Sequence, residues 1–231
     1  MKPDTSAIIV CAGDSVRMGR VNKQFLPLGN STVVGMSLTA FQNSPSVKEI
    51  IVVSRKFDID EIKRIAELNN ITKLKHVVTG GRCRQESVLN GYRLVAKDTK
   101  LITIHDGARP LVLIKDIEEC IAKARTYGGA TLGVPVKDTI KVVTENFIVD
   151  TPYRPCLYNT QTPQTFKKSI YAQGVDYALR NALVFNDDCQ LVEVTGTKVY
   201  MVRGHYSNIK ITTPEDIDVA ETLLKGLDKD V

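Results

Sequence analysis

Cations follow the hydrophobic runs of this chain at several places. In "CAGDSVRMGRVNKQF" the small residues Ala12 and Gly13 lead into Arg17, Arg20 and Lys23. A forked guanidinium and a mobile ammonium are groups that offset charge developing on a phosphorus centre. The stretch fits neither GxGxxG nor the GxxxxGK phosphate loop, because Asp14, Ser15 and Val16 follow Gly13; taken alone it reads equally as a basic surface loop. In "TGGRCRQESVLNG" Gly80 and Gly81 permit close backbone approach, and Gln85 to Ser87 begin a helix whose amides and hydroxyl can meet a base or ribose. A lone Gly-Gly is otherwise only a tight turn. "HDGARP" offers Asp106 as a candidate magnesium-associated carboxylate and Arg109 as a candidate phosphate ligand, whereas His105 packs at a strand end and takes no catalytic role. In "GHYSNIKITTPED" Lys210 stands between an apolar strand and a final helix, which directs it into the same cleft unless it is merely solvated.

A cleft of phosphate-directed cations with one well-placed carboxylate points to transfer at phosphorus rather than redox chemistry. No Ser/His/Asp order or nucleophilic-cysteine context is compelling, and His76, His105 and His205 make no metal-ligand pattern.

The elements that position these loops follow from periodicity. "AIIVCA", "EIIVVS", "LKHVVT", "LITIHD" and "ATLGVPV" read as strands, several continuous rather than alternating, as in a parallel sheet buried on both faces. Amphipathic helices lie between them: Ile59, Ile62 and Ala66 share a face in one, Ile114, Ile117, Ile121 and Ala124 in another. The alternation implies βαβ crossovers and a three-layer α/β sandwich. In such sheets ligands bind beyond the carboxyl ends of the strands, which is where the cationic loops fall. "DTIKVVTENFIVDTP" breaks the pattern with two β-rich pieces around Glu145 and Asn146 and predicts a hairpin arm at about residues 137–158. "TPQTFKKSIYAQGVDYALRNA" predicts a helix opening at Thr162 and Pro163, "KVYMVRG" a strand, and "TTPEDIDVAETLL" a closing helix with Thr213 as N-cap and Pro214 in its first position. Without an interdomain linker, residues 1–231 are expected to form a single domain.

Composition narrows the partners. The 31 Lys and Arg exceed 26 Asp and Glu by five, and they are spread along the chain without a basic tract, which favours a small anionic ligand over nucleic acid. Five widely separated cysteines without paired CxxC spacing predict reduced thiols, with neither zinc site nor disulfide framework. No apolar run approaches transmembrane length and no secretory leader is visible, so a cytoplasmic protein is expected.

The segments "AGDSVRMGRVNKQF", "GGRCRQESVLNG", "HDGARP", "PVKDTIK", "TPYRPCLYNTQTPQTF", "NDDCQLVE" and "NIKITTPEDI" together resemble, in order and over nearly the whole chain, the 2-C-methyl-D-erythritol 4-phosphate cytidylyltransferases. That family joins CTP to methylerythritol phosphate and releases pyrophosphate, on the non-mevalonate route to isoprenoids. The resemblance implies a Rossmann-like three-layer nucleotidyltransferase fold with a protruding β-hairpin arm, magnesium dependence, and a homodimer whose arms complete each other's sites. It implies that Arg17 and Lys23 stabilise the transition state, and that Ala12, Gly13, Gly81 and Ser87 line the CTP site with Asp106 beside metal and substrate. Lys210, with Arg154 from the partner's arm, would hold the attacking phosphate, while Thr139, Thr162 and Arg109 complete its surroundings. Asn186 stands in place of a threonine that usually touches the methylerythritol moiety. Further departures are Ser15 or Val16 for a second glycine, Asn22 for a proline, Gly107 for an alanine and Tyr158 for a tryptophan.

The nearest rival is the sister family that transfers cytidylate to ribitol 5-phosphate, another polyol phosphate, in wall polymer synthesis. "HDGARP" and "NDDCQLVE" lean toward the isoprenoid enzyme. An inactive nucleotide-binding regulatory module is opposed by the retained Arg17, Lys23, Asp106, Arg154 and Lys210. A dinucleotide-dependent oxidoreductase lacks its glycine fingerprint after the first strand.

Overall fold

Ala7, Ile8 and Ile9 are consecutive and all fully buried, because β1 (Thr5–Val10) runs mid-sheet with helices on both faces. The computed structural model describes residues 2–13 and 22–227. After a short 3-10 turn at Lys23–Phe25 come β2 (Pro27–Leu28), β3 (Ser31–Thr32), α1 (Val33–Asn43), β4 (Val47–Ser54), α2 (Ile59–Leu68), β5 (Leu74–Thr79) and α3 (Arg84–Tyr92). The chain continues through β6 (Leu101–Asp106), α4 (Ile114–Tyr127), β7 (Gly129–Pro135), β8 (Val142–Thr144), β9 (Phe147–Asp150) and β10 (Tyr158–Lys167). It closes with α5 (Lys168–Arg180), α6 (Asp188–Glu193), β11 (Tyr200–Arg203) and α7 (Glu215–Leu227).

The main sheet has the order β11-β7-β10-β6-β1-β4-β5. β1 pairs in parallel with β4 on one side and β6 on the other, so the strand order reverses at β1. Alternate residues of β1 and β4 serve opposite layers. Ala7, Ile9, Ile50 and Val52 pack under α1, α2 and α4, while Ile8, Ile51 and Val53 pack under α3 and α5. Thr32 Oγ1 accepts the Gly35 amide and starts α1. Gly128 ends α4 at a φ of 98°, a left-handed conformation that glycine adopts without a Cβ penalty. α7 lies outside these layers, packing Ala220 with Leu28 and Ile211. Among the described residues no helix is long and apolar enough to cross a membrane.

Three expectations are corrected. "TPQTF" is strand, not helix: β10 pairs antiparallel with β6 and β7, and α5 begins only at Lys168. Its polar residues misled because burial here is satisfied by hydrogen bonds, as in Thr165 Oγ1 to Thr103 Oγ1 at 2.8 Å. The sheet is therefore mixed rather than all parallel. β5 forms as the expected strand and lies at the sheet edge with part of its surface open. α7 starts at Glu215, one residue after the expected Pro214, and Asp216 Oδ2 accepts the Thr212 and Thr213 amides at 2.6 and 2.8 Å.

The arm forms where it was expected. Glu145 and Asn146 have φ of 50° and 69°, the left-handed pair of a two-residue hairpin turn. Residues 137–151 are all exposed, and Tyr158, the expected end of the arm, already belongs to β10.

α5 and α6 meet closely at Gly174, where a Cβ would stand 2.4 Å from the Leu191 carbonyl oxygen. Gly174→Ala must push the helices apart, at a cost of about 2 kcal/mol. Thermal unfolding followed by circular dichroism is expected to show a Tm about 5 °C lower than wild type.

Candidate active site

At the carboxyl ends of β1 and β6, two adjoining cavities of about 240 and 190 Å³ share Arg84, Asp106 and Lys210. Ala12, Gly13, Lys23, Gly81 and Ser87 line the first; Arg109, Thr162 and Asn186 line the second. Ten of the expected site residues thus converge on one two-lobed cleft, divided by Asp106 and its cations. Thr139 and Arg154 lie on the exposed arm and line neither lobe; the Arg154 guanidinium donates to the Lys137 carbonyl at 3.0 Å. Arg17 falls outside the described residues, as do Ser15 and Val16.

Asp106 ends β6 and is buried. Lys210 Nζ lies 2.7 Å from its Oδ2, Arg84 Nε 3.5 Å from its Oδ1, and Arg109 Nε 4.0 Å from Oδ2. Burial alone pushes the carboxyl up, but Lys210, Arg84 and Arg109 outweigh it and hold the group well below the usual carboxylate range. Arg84 and its partner Asp188 were missed in the sequence. Arg84 Nη1 donates to Asp188 Oδ2 at 2.7 Å, and the Tyr171 hydroxyl donates to Asp188 Oδ1 at 2.8 Å. Burial works against the Arg84 charge, yet Asp188 and Asp106 together raise its pKa further. Both residues sat inside quoted motifs, Arg84 just past the Gly-Gly turn and Asp188 in the "NDD" run; nothing in their spacing joins positions so far apart.

Behind Asp106 runs a chain of polar contacts. The Asp106 amide donates to Thr162 Oγ1 at 3.1 Å, Thr162 Oγ1 meets His105 Nδ1 at 2.9 Å, and His105 Nε2 meets the Arg109 carbonyl at 3.1 Å. A carbonyl can only accept, so Nε2 carries the proton and Nδ1 accepts from Thr162. Burial pushes the His105 imidazole down to about 4, leaving it neutral, and its ring packs 4.9 Å from that of Phe41. His105 is therefore a strand-end core residue, as expected. Asn208 ties the Lys210 loop to the same strand, with Nδ2 donating to the Thr162 carbonyl at 3.0 Å and its own carbonyl accepting from Arg109 at 2.8 Å.

The first lobe owes its shape to small residues. A Cβ at Gly80 would stand 2.4 Å from Ala12 Cβ, so the loops after β1 and β5 touch only because it has none. Ser87 Oγ accepts from the Gly81 amide at 3.0 Å and donates to the Cys83 carbonyl at 2.9 Å, holding the loop at the edge of the lobe it lines. Gly107 is matched to Cys11, whose Sγ would lie 2.4 Å from any Cβ there.

Asp106 is the only acidic residue lining the first lobe among the described residues, and no group of three or more His, Cys, Asp or Glu among them is placed to hold a metal. That donor set suits magnesium, which takes one or two carboxylates and completes its shell with phosphate oxygens and water. Gln24 adds a second oxygen: it is buried, lines the same lobe, and its Oε1 has no hydrogen-bond partner among the described residues.

The family model IspD, 2-C-methyl-D-erythritol 4-phosphate cytidylyltransferase, matches residues 5–226. The enzyme of that name from Caldanaerobacter subterraneus is 45% identical over 225 residues, covering 96% of this chain and 99% of the relative. That from Clostridium novyi is 40% identical over 224 residues, covering 96% of each. Among solved structures, 4-diphosphocytidyl-2C-methyl-D-erythritol synthase of Anaerococcus prevotii superimposes with a TM-score of 0.86 at 32% identity, covering 97% of each chain. The cytidylyltransferase of Thermus thermophilus has a TM-score of 0.78 at 29% identity, covering 95% of this chain and 98% of that one.

The neutral His105 makes stability depend on pH. Its folded pKa lies below the unfolded value, so its contribution is complete above about pH 6.5 and is lost as pH falls toward 4, about 3 kcal/mol in all. Urea unfolding at steps from pH 7.5 to 4.5 is expected to show a shallower pH dependence for His105→Gln than for wild type. Equal slopes would place the acid sensitivity elsewhere.

Proposed function

The chain belongs to the 2-C-methyl-D-erythritol 4-phosphate cytidylyltransferase family, and we infer from this that it joins CTP to 2-C-methyl-D-erythritol 4-phosphate, yielding 4-diphosphocytidyl-2-C-methyl-D-erythritol and pyrophosphate. In this reaction a phosphate oxygen of the acceptor forms a bond to the α-phosphorus of CTP as the bond from that phosphorus to the pyrophosphate oxygen breaks. The observation that carries the reading is the two-lobed cleft, with Asp106, Arg84 and Lys210 common to both halves. A transfer between two phosphates needs two anion sites that meet at one point.

Ala12, Gly13, Gly81 and Ser87 are assigned to CTP, their close-packed backbone leaving a slot for a pyrimidine. Lys23 and Arg17 are assigned to the charge that develops on the α-phosphate, where positioning and electrostatics do most of the catalytic work. Lys210, Arg109 and Thr162 are assigned to the acceptor phosphate, with Asn186 at its polyol end. Asp106 would hold a magnesium ion, with Gln24 beside it. When bound, that ion supplies positive charge against the phosphate oxygens of the nucleotide. Asp106 also orders Lys210 and Arg84 at the junction of the lobes.

A homodimer is part of the reading, with Arg154 and Thr139 supplied to the partner's acceptor lobe. In support, the arm leaves Phe147, Ile148 and Tyr153 74%, 63% and 73% exposed, more apolar surface than a lone hairpin would be expected to leave in water. A cytoplasmic location completes it, in keeping with five free thiols.

With CTP and magnesium, the purified protein is expected to release pyrophosphate with methylerythritol phosphate and much less with ribitol phosphate. The reverse preference moves it to the sister activity, and no release with either makes it a binding module. Lys23→Ala is expected to lower kcat about a hundredfold or more while CTP affinity changes little, as for a contact made mainly in the transition state.

Mixing inactive Arg154→Ala and Lys23→Ala proteins checks the shared arm. Heterodimers that contain one intact composite site should regain part of the activity; proven heterodimers without rescue refute the exchange.

A further inference from the structure

Lys23 sits on a three-residue 3-10 turn, an element too short to hold its own geometry. Its first amides lack intrahelical partners, and Asn22 supplies one: Oδ1 accepts from the Gln24 amide at 3.1 Å. The other end of the same carboxamide reaches across to the β4–α2 crossover, where Nδ2 donates to Asp58 Oδ2 at 2.9 Å. Both contacts require one orientation of the Asn22 amide, since an amide hydrogen needs an acceptor and a carboxylate a donor.

Asp58 is buried and occupies the N-cap position of α2, yet its side chain makes no bond to that helix. A carboxylate there ordinarily caps the first-turn amides. Instead, Arg55 grips it through Nε to Oδ2 at 2.6 Å and Nη2 to Oδ1 at 3.3 Å, and the guanidinium lies 4.7 Å over the Phe57 ring. The acid has been turned away from its own helix and toward the turn that bears Lys23. Its anchor is the end of β4, a neighbour of β1 at the same edge of the sheet as the cleft.

Building on the function inferred above, we propose that Arg55, Asp58 and Asn22 form a positioning clamp. It fixes the turn so that the Lys23 ammonium meets the transferring phosphate. None of the three lines either lobe of the cleft, so they are positioning residues and act through Lys23. The clamp also sets Gln24, whose Oε1 has no hydrogen-bond partner among the described residues and lies 3.2 Å from where a Cβ at Gly107 would stand.

The test combines a double-mutant cycle with hydrogen exchange. Asn22→Ala is expected to lower kcat about tenfold, with the KM for CTP within about twofold of wild type. In a Lys23→Ala background the same change should cost less than about twofold, because the residue it positions is gone. Amides of residues 22–26 in Asn22→Ala should exchange about tenfold faster, with core strands unchanged. Unchanged exchange at the turn overturns the clamp whatever the enzyme does, and equal losses of turnover in both backgrounds overturn its action through Lys23. Faster exchange with normal turnover likewise rejects the positioning role. If wild type makes no product while exchange responds as expected, the clamp stands and the function assigned to the site is what fails.

Discussion

The carboxylate of Asp106 is the point on which the site depends. It is buried at the end of a central strand, where an isolated carboxylate would neutralise itself, and it remains an anion because Lys210, Arg84 and Arg109 surround it. Two unit charges 4 Å apart are worth about 4 kcal/mol at an effective dielectric of 20. Three such partners can offset a desolvation cost of several kcal/mol, whereas one could scarcely do so. The dependence is mutual. Arg109 is itself largely buried and pairs with no other acid among the described residues, while Arg84 would keep only Asp188 without the acid between them.

That cluster joins segments from three regions of the chain. Arg84 arrives on the first turn of α3, Asp106 at the end of β6 with Arg109 on the loop that follows, and Lys210 on the loop after β11. The neutral His105, Thr162 and Asn208 hold these loops through backbone groups, so the charged side chains project from a hydrogen-bonded scaffold behind them. A buried network of this kind favours one arrangement, because any other leaves more buried donors or acceptors unpaired. The arm obeys the opposite logic. Its residues pack against almost nothing in their own chain, and the two positions expected to touch substrate from it lie outside the cleft.

Much of this was legible in advance. Continuous apolar runs identified β1, β4 and β6 as buried strands, and amphipathic spacing identified α2 and α4, since both patterns reflect which face of an element meets the core. Lys23, Arg109 and Lys210 were brought to one cleft as a topological rule anticipates, that ligands gather beyond the carboxyl ends of such strands. β10 was misread because "TQTPQTF" carries little apolar character; its burial depends on partners from β6 and β7 that no local pattern reveals. Arg84 was passed over for a related reason. An arginine at a helix start resembles a solvated one until Asp188, distant in sequence, is brought within 2.7 Å.

The sequence by itself determined the layered α/β architecture, the arm, the convergence of Lys23, Arg109 and Lys210 beyond the strand ends and, through its ordered motifs, the family. These are encoded locally, in hydrophobic period, turn chemistry and residue type. Only the tertiary structure decided which charges neutralise one another, that β10 runs antiparallel through the sheet, that the cleft has two lobes, and that Asn22 is tied to Asp58. Those are contacts between residues remote along the chain, and their energy exists only once folding has excluded water from the space between them.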